Sequence, residues 1–235
     1  MTELSKAPDT IAGMFDAIAA RYDLLNHLLS AGIDRRWRRQ AIRSLALTGR
    51  ERVLDLCTGT ADLAIAARQA RPGAARVVGV DFAGSMLRIG RDKLRRLGDS
   101  AVALVRGDAT SAPVSSASVD AVTVAFGIRN VEHTRAVVAE MARVLKPGGR
   151  FAILEFAIPR HPLVRAVYLW YFNHLLPRIG RIVSRHHAAY AYLPASVGAF
   201  ATPDEFVTIL REGGFQTINA VPLTFGIVFL YTGRR

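Results

Sequence analysis

The sequence predicts an α/β fold built on an open, mostly parallel sheet, and two patterns support this prediction. Short apolar runs of the kind that buried parallel strands need, at residues 53–56 and 119–125, alternate with longer segments of helical periodicity. Three acids, Asp55, Asp81 and Asp108, lie at or just after the ends of three successive predicted strands. Because ligands of open α/β sheets bind outside the carboxyl ends of the strands, we expect these acids to face one crevice.

The N-terminal part of the chain is predicted to be helical. A helix starts at residues 8–10, residues 21–23 break it, and helical segments at 24–29 and 37–47 precede the first strand. We therefore expect several short helices before the sheet begins.

A tight turn follows the first strand. Thr58, Gly59 and Thr60 are small, which lets backbone N–H groups approach a ligand closely, and a helix is predicted from Ala61. Only Gly59 is a glycine, so the dinucleotide fingerprint G-x-G-x-x-G is absent. This pattern favours S-adenosylmethionine over a dinucleotide as the cofactor.

The three acids suit that cofactor. Asp55 is placed to receive the amino group of the ligand, and Asp108 to accept from the exocyclic amine of adenine. Asp81 lies 22 residues after Gly59, close to the roughly 20 expected for an acid that binds ribose hydroxyls. Each acid taken alone could instead be a helix cap or a turn residue. The intervals between all three make the cofactor interpretation the stronger one.

The second half of the chain continues the alternation. The near-continuous apolar run 119–125 predicts a central strand, with Phe126 at its carboxyl end. Asn130 is a suitable N-cap for a helix over residues 131–145, which Pro147-Gly148-Gly149 would end. The remaining predicted elements are a basic-faced helix at 85–97, a strand at 151–156, an aromatic insertion at 161–183, a helix from Thr202 to Gly213, and an antiparallel edge hairpin of strands 215–220 and 223–231.

Several motifs together resemble one protein family. V-L-D-x-x-x-G and L-K-P-G-G are common in methyltransferases, whereas F-G-I-R-N, L-P-R-I-G and the segment from Tyr22 to Trp37 are more specific. On these motifs the chain resembles class I methyltransferases with a Rossmann-like sheet, and more narrowly the family that C-methylates ubiquinone and menaquinone precursors. The motifs are Y22-D-L-L-N26, G32-I-D-R-R-W37, V53-L-D-L56, G84-S-M-L87, F126-G-I-R-N130, R143-V-L-K-P-G-G149 and L175-L-P-R-I-G180.

The resemblance implies S-adenosylmethionine-dependent C-methylation of a polyprenylated quinol. Demethylmenaquinol is the first choice, and the ubiquinone precursor 2-methoxy-6-polyprenyl-1,4-benzoquinol is the second. Arg129 is the catalytic candidate, because a guanidinium is a poor base but can stabilise a phenolate or orient a water that takes its proton. The alternative role for Arg129 is a structural salt bridge. The resemblance adds Gly59, Thr60, Ala109 and Ala125 to the cofactor site, and places Tyr22, Asn26, Phe126 and Asn130 in the substrate pocket.

Three positions depart from the family pattern. Thr58 and Ala61 stand where the turn usually has glycine, and Ala125 stands where serine usually precedes Phe-Gly. A non-catalytic cofactor-binding paralogue is therefore one alternative function.

The length of 235 residues fits a single methyltransferase domain. Within it we expect a helical cap at 1–48, a cofactor-binding half at 49–160, a helical insertion forming a substrate lid at 161–202, and a C-terminal helix and strands at 203–235. The aromatic insertion would alternatively pack in the core or against a second copy in a homodimer.

The net charge of +12 indicates either arginine-rich solvated faces or an anionic partner. We expect peripheral contact with an anionic membrane at its inner face rather than specific nucleic-acid binding, although an RNA methyltransferase is the rival class. The Asn-Pro-Pro-aromatic motif of base-amine methylation is absent after residue 125. No apolar run spans a membrane, the single Cys57 cannot form an internal disulfide, and no zinc spacing occurs, so the expected location is cytoplasmic and no metal is expected.

Overall fold

The computed structural model describes residues 8–30, 32–70, 72–171, 174 and 187–235. Within its helices, the side chains of residues 8–9, 20–22, 24–29 and 187–191 fall outside this description. The predicted substrate-pocket residues Tyr22 and Asn26 are among them, so their side-chain positions stay predictions.

One seven-stranded sheet organises the fold. Its strand order is β3-β2-β1-β4-β5-β7-β6, in which β3, β2, β1, β4 and β5 run parallel and β7 and β6 pair antiparallel. This arrangement confirms the predicted mostly parallel sheet with an antiparallel C-terminal edge. The strands are β1 (Arg52–Leu56), β2 (Arg76–Asp81), β3 (Val102–Arg106), β4 (Val119–Ala125), β5 (Leu145–Phe156), β6 (Gln216–Leu223) and β7 (Val228–Arg234).

Helices cover both faces of the sheet. Helices α5 and α8 contribute Met141 and Phe206 to the core on one face, and α2 and α3 contribute Trp37 and Leu63 on the other. The eight helices among the described residues are α1 (Pro8–Leu29), α2 (Asp34–Ser44), α3 (Asp62–Gln69), α4 (Gly84–Leu97), α5 (Thr134–Val144), α6 (Pro162–Trp170), α7 (His187–Gly198) and α8 (Pro203–Glu212).

The N-terminal helix corrects one prediction. Helix α1 runs unbroken through residues 21–23, where the sequence suggested a break. The polar residue there, Asp23, forms an ion pair with Lys93 of α4 at 2.6 Å and accepts a hydrogen bond from Thr60. The polar stretch is therefore a tertiary contact on a helix that contains no proline after residue 8, rather than a helix end.

The chain after β4 corrects two more predictions. Asn130 is not the N-cap of α5, because it ends a 3₁₀ turn, Ile128–Asn130, and α5 begins at Thr134 after His133. Phe126 adopts a left-handed backbone with φ 59°, which turns the chain tightly before a helix can start. Helix α5 also ends at Val144, and residues 147–149 extend β5 instead of ending the helix.

Helix α8 begins as the sequence predicts. Thr202 and Glu205 form a capping box, in which the Thr202 hydroxyl accepts from the Glu205 N–H and the Glu205 carboxylate accepts from the Thr202 N–H at 2.8 Å. None of the described helices is both long enough and apolar enough to cross a bilayer.

Candidate cofactor and substrate site

A cleft opens at the carboxyl ends of the parallel strands, and α1 forms one of its walls through Ile11, Ala12 and Phe15. Seven of the residues predicted for the site line this cleft. Since they follow four different strands, the sheet brings together positions that are far apart in sequence. They are Gly59, Asp81, Asp108, Ala109, Ala125, Phe126 and Asn130.

The turn after β1 has an unusual backbone. Cys57, Gly59 and Ala61 all have positive φ, at 53°, 55° and 69°. A left-handed backbone disfavours residues with a Cβ, which explains why glycine is expected at residue 61. The Ala61 methyl is accommodated because Gly90 of α4 lies opposite, where an added Cβ would come within 3.2 Å of it. The departure at residue 61 thus fits the turn without filling the cleft.

Asp81 lies at the centre of the cofactor side. Its two carboxylate oxygens accept hydrogen bonds from the backbone N–H groups of Gly59, at 2.7 Å, and Ala83, at 2.9 Å. These bonds orient the carboxylate and leave lone pairs for a ligand, since each oxygen can accept more than once. Enclosure away from water raises the pKa of Asp81, and the backbone hydrogen bonds oppose that rise. This geometry fits the predicted contact with ribose hydroxyls.

Asp55 lies behind the cleft wall rather than in it. The side chain is 1% exposed, and its two oxygens accept from the hydroxyls of Thr58 at 2.5 Å and Thr123 at 2.6 Å. Burial raises the pKa of Asp55 to about 6, against the lowering effect of these hydrogen bonds. The structure therefore gives Asp55 a clear role in positioning the turn, and its contact with the amino group of the cofactor stays a prediction.

Thr60 joins the turn to α1. Its hydroxyl donates to Asp23 at 2.6 Å and accepts from Lys93 at 3.0 Å, and Lys93 also pairs with Asp62 at 2.6 Å. Farther along α1, Asp16 accepts from the Ser85 N–H at the start of α4. These contacts hold α1 against the cleft. The Thr60 side chain is buried between α1 and α4.

The loop after β3 forms the side of the cleft that is predicted to hold the adenine. Asp108 accepts from the Thr110 N–H at 2.8 Å and, with Ala109 and Thr110, lines the cleft. Cys57 lines the opposite side, and burial together with the charges of Asp81 and Asp55 raises the pKa of its thiol. The thiol therefore stays protonated and acts as a small packing group.

Aromatic rings occupy the end of β4. The Phe126 ring lies 4.5 Å from the Phe156 ring and 6.0 Å from the Trp37 ring, measured between centroids. Two guanidiniums flank these rings, with Arg38 5.9 Å from the Phe126 centroid and Arg129 5.4 Å from that of Phe156. Arg38 is thus a buried residue paired with Asp34.

Arg129 is engaged by the protein itself. Its guanidinium pairs with Glu155 at 2.9 Å, donates to the Phe126 carbonyl, and donates to the Ser196 hydroxyl at 3.3 Å. The side chain is buried and is absent from the residues that line the cleft. These contacts support the structural salt bridge among the two predicted roles, and the catalytic role stays a prediction.

Asn130 lines the cleft and holds an unused acceptor. The residue is 7% exposed, its amide nitrogen lies 3.4 Å from the Phe126 carbonyl, and its Oδ1 has no hydrogen-bond partner among the described residues. A buried polar atom without a partner is costly, so it marks a place where a ligand group can bind. Gly127 lets the turn before Asn130 pack against Cys57, because an added Cβ there would come within 2.3 Å of the Cys57 Cβ.

Some cleft residues are missing from the sequence-based site. Ile11, Ala12 and Phe15 of α1, and Glu132 and His133 before α5, line the cleft without a matching motif. The apolar face of α1 was visible in the sequence, but its partner was not. Only the docking of α1 on α4 brings that face to the cleft.

The mostly parallel seven-stranded sheet with its antiparallel C-terminal edge has the class I methyltransferase fold. A methyltransferase from Thermotoga maritima superimposes with a TM-score of 0.66 at 17% identity, over 95% of this chain and 99% of that chain. The [4+2]-cyclase SpnF superimposes with a TM-score of 0.71 at 16% identity, over 97% and 96% of the two chains. At these identities the likeness concerns the fold alone, and the cyclase illustrates that the fold supports more than one chemistry.

The chain belongs to the ubiE/COQ5 methyltransferase family, whose profile matches residues 1–235. It is 48% identical to the ubiquinone/menaquinone biosynthesis C-methyltransferase UbiE of Syntrophotalea carbinolica, over 94% of this chain and 92% of the relative. It is 46% identical to the demethylmenaquinone methyltransferase of Deinococcus radiodurans, over 94% and 90%. The predicted family and fold are confirmed, as is S-adenosylmethionine as the cofactor.

Proposed function

We propose that the chain transfers a methyl group from S-adenosylmethionine to a ring carbon of demethylmenaquinol. The enzyme class, C-methylation of a quinol, follows from the family, and the particular quinol is the proposed part. The cleft supports methyl transfer to a quinol because its acidic cofactor side adjoins an aromatic side that ends in Phe126 and Asn130, and the name of the Deinococcus relative supports demethylmenaquinol as the particular quinol. The ubiquinone precursor is the second candidate, since similar relatives carry a name that covers both pathways.

The cofactor side of the cleft would bind and orient S-adenosylmethionine. When bound, S-adenosylmethionine supplies an electrophilic methyl group on a sulfonium. Asp81 would hold the ribose hydroxyls, Asp108 the adenine amine, and Gly59 and Ala125 would allow close approach. The Ile11–Phe15 side of α1 excludes water over this region. Much of the rate enhancement can come from this positioning, because well-oriented reactants gain about 7–11 kcal/mol over free ones.

The substrate side must help a quinol carbon become nucleophilic, which happens when a ring hydroxyl loses its proton. Asn130 Oδ1 is free to accept that hydroxyl, and the Phe126 ring offers an apolar surface for the quinol ring. Arg129 fixes the Phe126 carbonyl, to which the Asn130 amide also points, so we assign it first to positioning these two groups. Phenolate stabilisation by Arg129 is the more demanding hypothesis. It requires kcat to fall strongly when the guanidinium is removed.

The structure offers no special support for the rival functions. The Ala61 methyl fits against Gly90 and leaves the cleft open, which weakens the argument for a non-catalytic paralogue. For an RNA methyltransferase we would expect a basic cleft, yet the titratable side chains that line this one are Asp81, Asp108, Glu132, His133 and the thiol of Cys57.

The decisive assay supplies the purified chain with S-adenosylmethionine and either demethylmenaquinol or the ubiquinone precursor. We expect methylated menaquinol as the faster product. A faster reaction on the ubiquinone precursor would replace the proposed substrate, and no methylation of either quinol, with cofactor binding intact, would favour the paralogue.

Asn130 offers a sharper test within the same assay. Asn130→Leu removes the Oδ1 acceptor and should raise KM for the quinol about two- to tenfold, as loss of one neutral hydrogen bond does. Asn130→Gln keeps the amide group and is the matched control. A thermal melt must show each variant folded at the assay temperature, because Asn130 is buried and its amide donates to the Phe126 carbonyl. Equal KM values for Asn130→Leu and the unchanged protein would remove Asn130 from the substrate site.

A further inference from the structure

Helix α6 exposes an apolar stripe. Leu163, Val167 and Trp170 are spaced four and three residues apart, which places them on one helical face, and they are 68%, 59% and 56% exposed. Tyr168, on the other side of the helix, is 6% exposed. The burial of Tyr168 fixes the orientation of α6, so the exposed stripe belongs to the packed helix.

A second exposed ring lies near the start of α6. Phe225 is 81% exposed and has a left-handed backbone with φ 58°, which costs roughly 1–2 kcal/mol for a residue with a Cβ. Its loop is fixed by the Trp37 indole, which donates to the Thr224 hydroxyl at 2.9 Å. The end of this loop is bonded to the chain leading into α6, because the Ala157 N–H donates to the Ile227 carbonyl at 3.0 Å.

The sequence around α6 carries charge of one sign. No Asp or Glu occurs between Glu155 and Asp204, while the same stretch contains five arginines, at 160, 165, 178, 181 and 185. These arginines supply five of the twelve net positive charges of the chain. Of the two arginines in the described part of the stretch, Arg165 is exposed and Arg160 pairs with Asp204. The charge of this stretch therefore favours an anionic partner over a cationic one.

We propose that the α6 stripe, with Phe225 beside it, docks the protein onto an anionic lipid surface. An interfacial helix places leucine, valine and tryptophan among the acyl chains and headgroups, while nearby arginines meet the lipid phosphates. A second copy of the chain fits less well, because a two-fold interface sets the same patch of each copy face to face and would bring like charges together. The inference rests on the proposed function in one respect, because the proposed quinol substrate is carried in the lipid.

Docking through this face would bring the membrane close to the site. The Thr224 loop is bonded to Trp37, whose ring contacts both Phe126 and Phe156. An apolar substrate leaving the bilayer at this face would therefore meet the aromatic side of the cleft.

Flotation with vesicles of phosphatidylglycerol and phosphatidylcholine tests the face directly. The triple variant Leu163→Ser/Val167→Ser/Trp170→Ser should bind anionic vesicles about tenfold more weakly or worse, since each side chain contributes by burial of apolar surface. Leu97→Ser is the matched control, because Leu97 is 51% exposed on α4 and should not matter. Phe225→Ser should give a smaller loss. Vesicle binding by the triple variant equal to that of the control would overturn the proposal.

Tryptophan fluorescence gives an independent measurement. Trp37 is only 5% exposed, so a blue shift on adding anionic vesicles should come from Trp170 and vanish in Trp170→Phe. A shift that persists in Trp170→Phe would contradict docking through α6. Sedimentation that instead reveals a dimer, lost in the triple variant, with no vesicle binding, would assign the face to a second copy.

Methylation of a short-chain, water-soluble quinol separates this proposal from the proposed function. The triple variant should methylate that quinol normally and lose activity only on vesicle-borne substrate. If the unchanged protein binds vesicles through α6 but methylates no quinol, the docking proposal stands and the proposed function fails. If the triple variant methylates vesicle-borne quinol normally, the docking proposal fails and the proposed function stands.

Discussion

The two sides of the cleft satisfy their polar groups in opposite ways. On the cofactor side, the Asp81 and Asp108 carboxylates accept from backbone N–H groups and keep lone pairs directed at the cleft. On the aromatic side, Arg129 and Arg38 are paired with Glu155 and Asp34. Charge on the cofactor side is therefore available to a ligand, whereas on the aromatic side it is neutralised within the protein.

This difference indicates how each side works. A cofactor with a ribose, an adenine amine and a sulfonium suits acids that are oriented and only partly satisfied. An apolar quinol suits rings, and the neutral amide of Asn130 is a polar group beside them whose oxygen has no partner among the described residues. The ion pairs serve to hold the rings, because both guanidiniums also lie over them.

The largest expected effect comes from breaking the buried pair on the aromatic side. Arg129→Met should lower the free energy of unfolding by about 3–5 kcal/mol, because Glu155 would remain as a buried, uncompensated carboxylate. The double variant Arg129→Met/Glu155→Gln removes both charges and should recover most of that loss in urea unfolding.

The same double variant decides the role of Arg129. If Arg129 stabilises a phenolate, kcat of the folded double variant should fall roughly 10²–10³-fold, as loss of a transition-state donor does. If Arg129 only positions Phe126 and Asn130, kcat should fall far less. Near-normal stability of the single variant would contradict the structural role instead.

The next largest effect is a pH dependence of the free energy of unfolding that comes from Asp55. The ordinary pKa of 3.8 rises to about 6 on folding, so between these values the folded chain holds a proton that the unfolded chain has released. The free energy of unfolding should therefore fall as pH rises from about 4 to 6, by roughly 3 kcal/mol from this group. Asp55→Asn should lack that fall. Parallel pH profiles for the two proteins in urea unfolding would show that Asp55 has no raised pKa.

A smaller effect is expected for ligand binding on the cofactor side. Asp81→Ala should weaken S-adenosylmethionine binding by about 1.5–3 kcal/mol, the range for a hydrogen bond to a charged group. Calorimetry measures this directly, and Asp92→Ala on the exposed side of α4 is a control for the loss of one negative charge. An unchanged Kd in a folded Asp81→Ala protein would exclude the ribose contact.

The smallest effect is expected outside both sides of the cleft. Thr202→Ala removes one bond of the capping box of α8 and should cost about 1 kcal/mol of stability. Since α8 does not line the cleft, cofactor affinity and kcat should be unchanged. A thermal melt together with the methylation assay checks both, and a loss of activity without a loss of stability would link α8 to the site.

Local sequence patterns determined many of the secondary-structure elements of this protein and several of the residues that line its cleft. The apolar runs predicted the parallel strands, the acids that end β2 and follow β3 were predicted to face one crevice and both line the cleft, and the residues around Thr202 predicted the start of α8. Each of these predictions depends on residues close together in the chain. The motif residues Phe126 and Asn130 were likewise predicted from the sequence to lie at the site, and both line the cleft.

The tertiary structure decided which of those groups remain available to a ligand. It turned Asp55 away from the cleft toward Thr123, paired Arg129 with Glu155 from the next strand, and merged the N-terminal helices into α1 by pairing Asp23 with Lys93. The sequence identifies a charged side chain but not its partner, because these partners are 26 to 70 residues away and are brought together only by the sheet and its helices. The exposed face of α6 has the same origin, since only the burial of Tyr168 decides which side of that apolar helix faces outward.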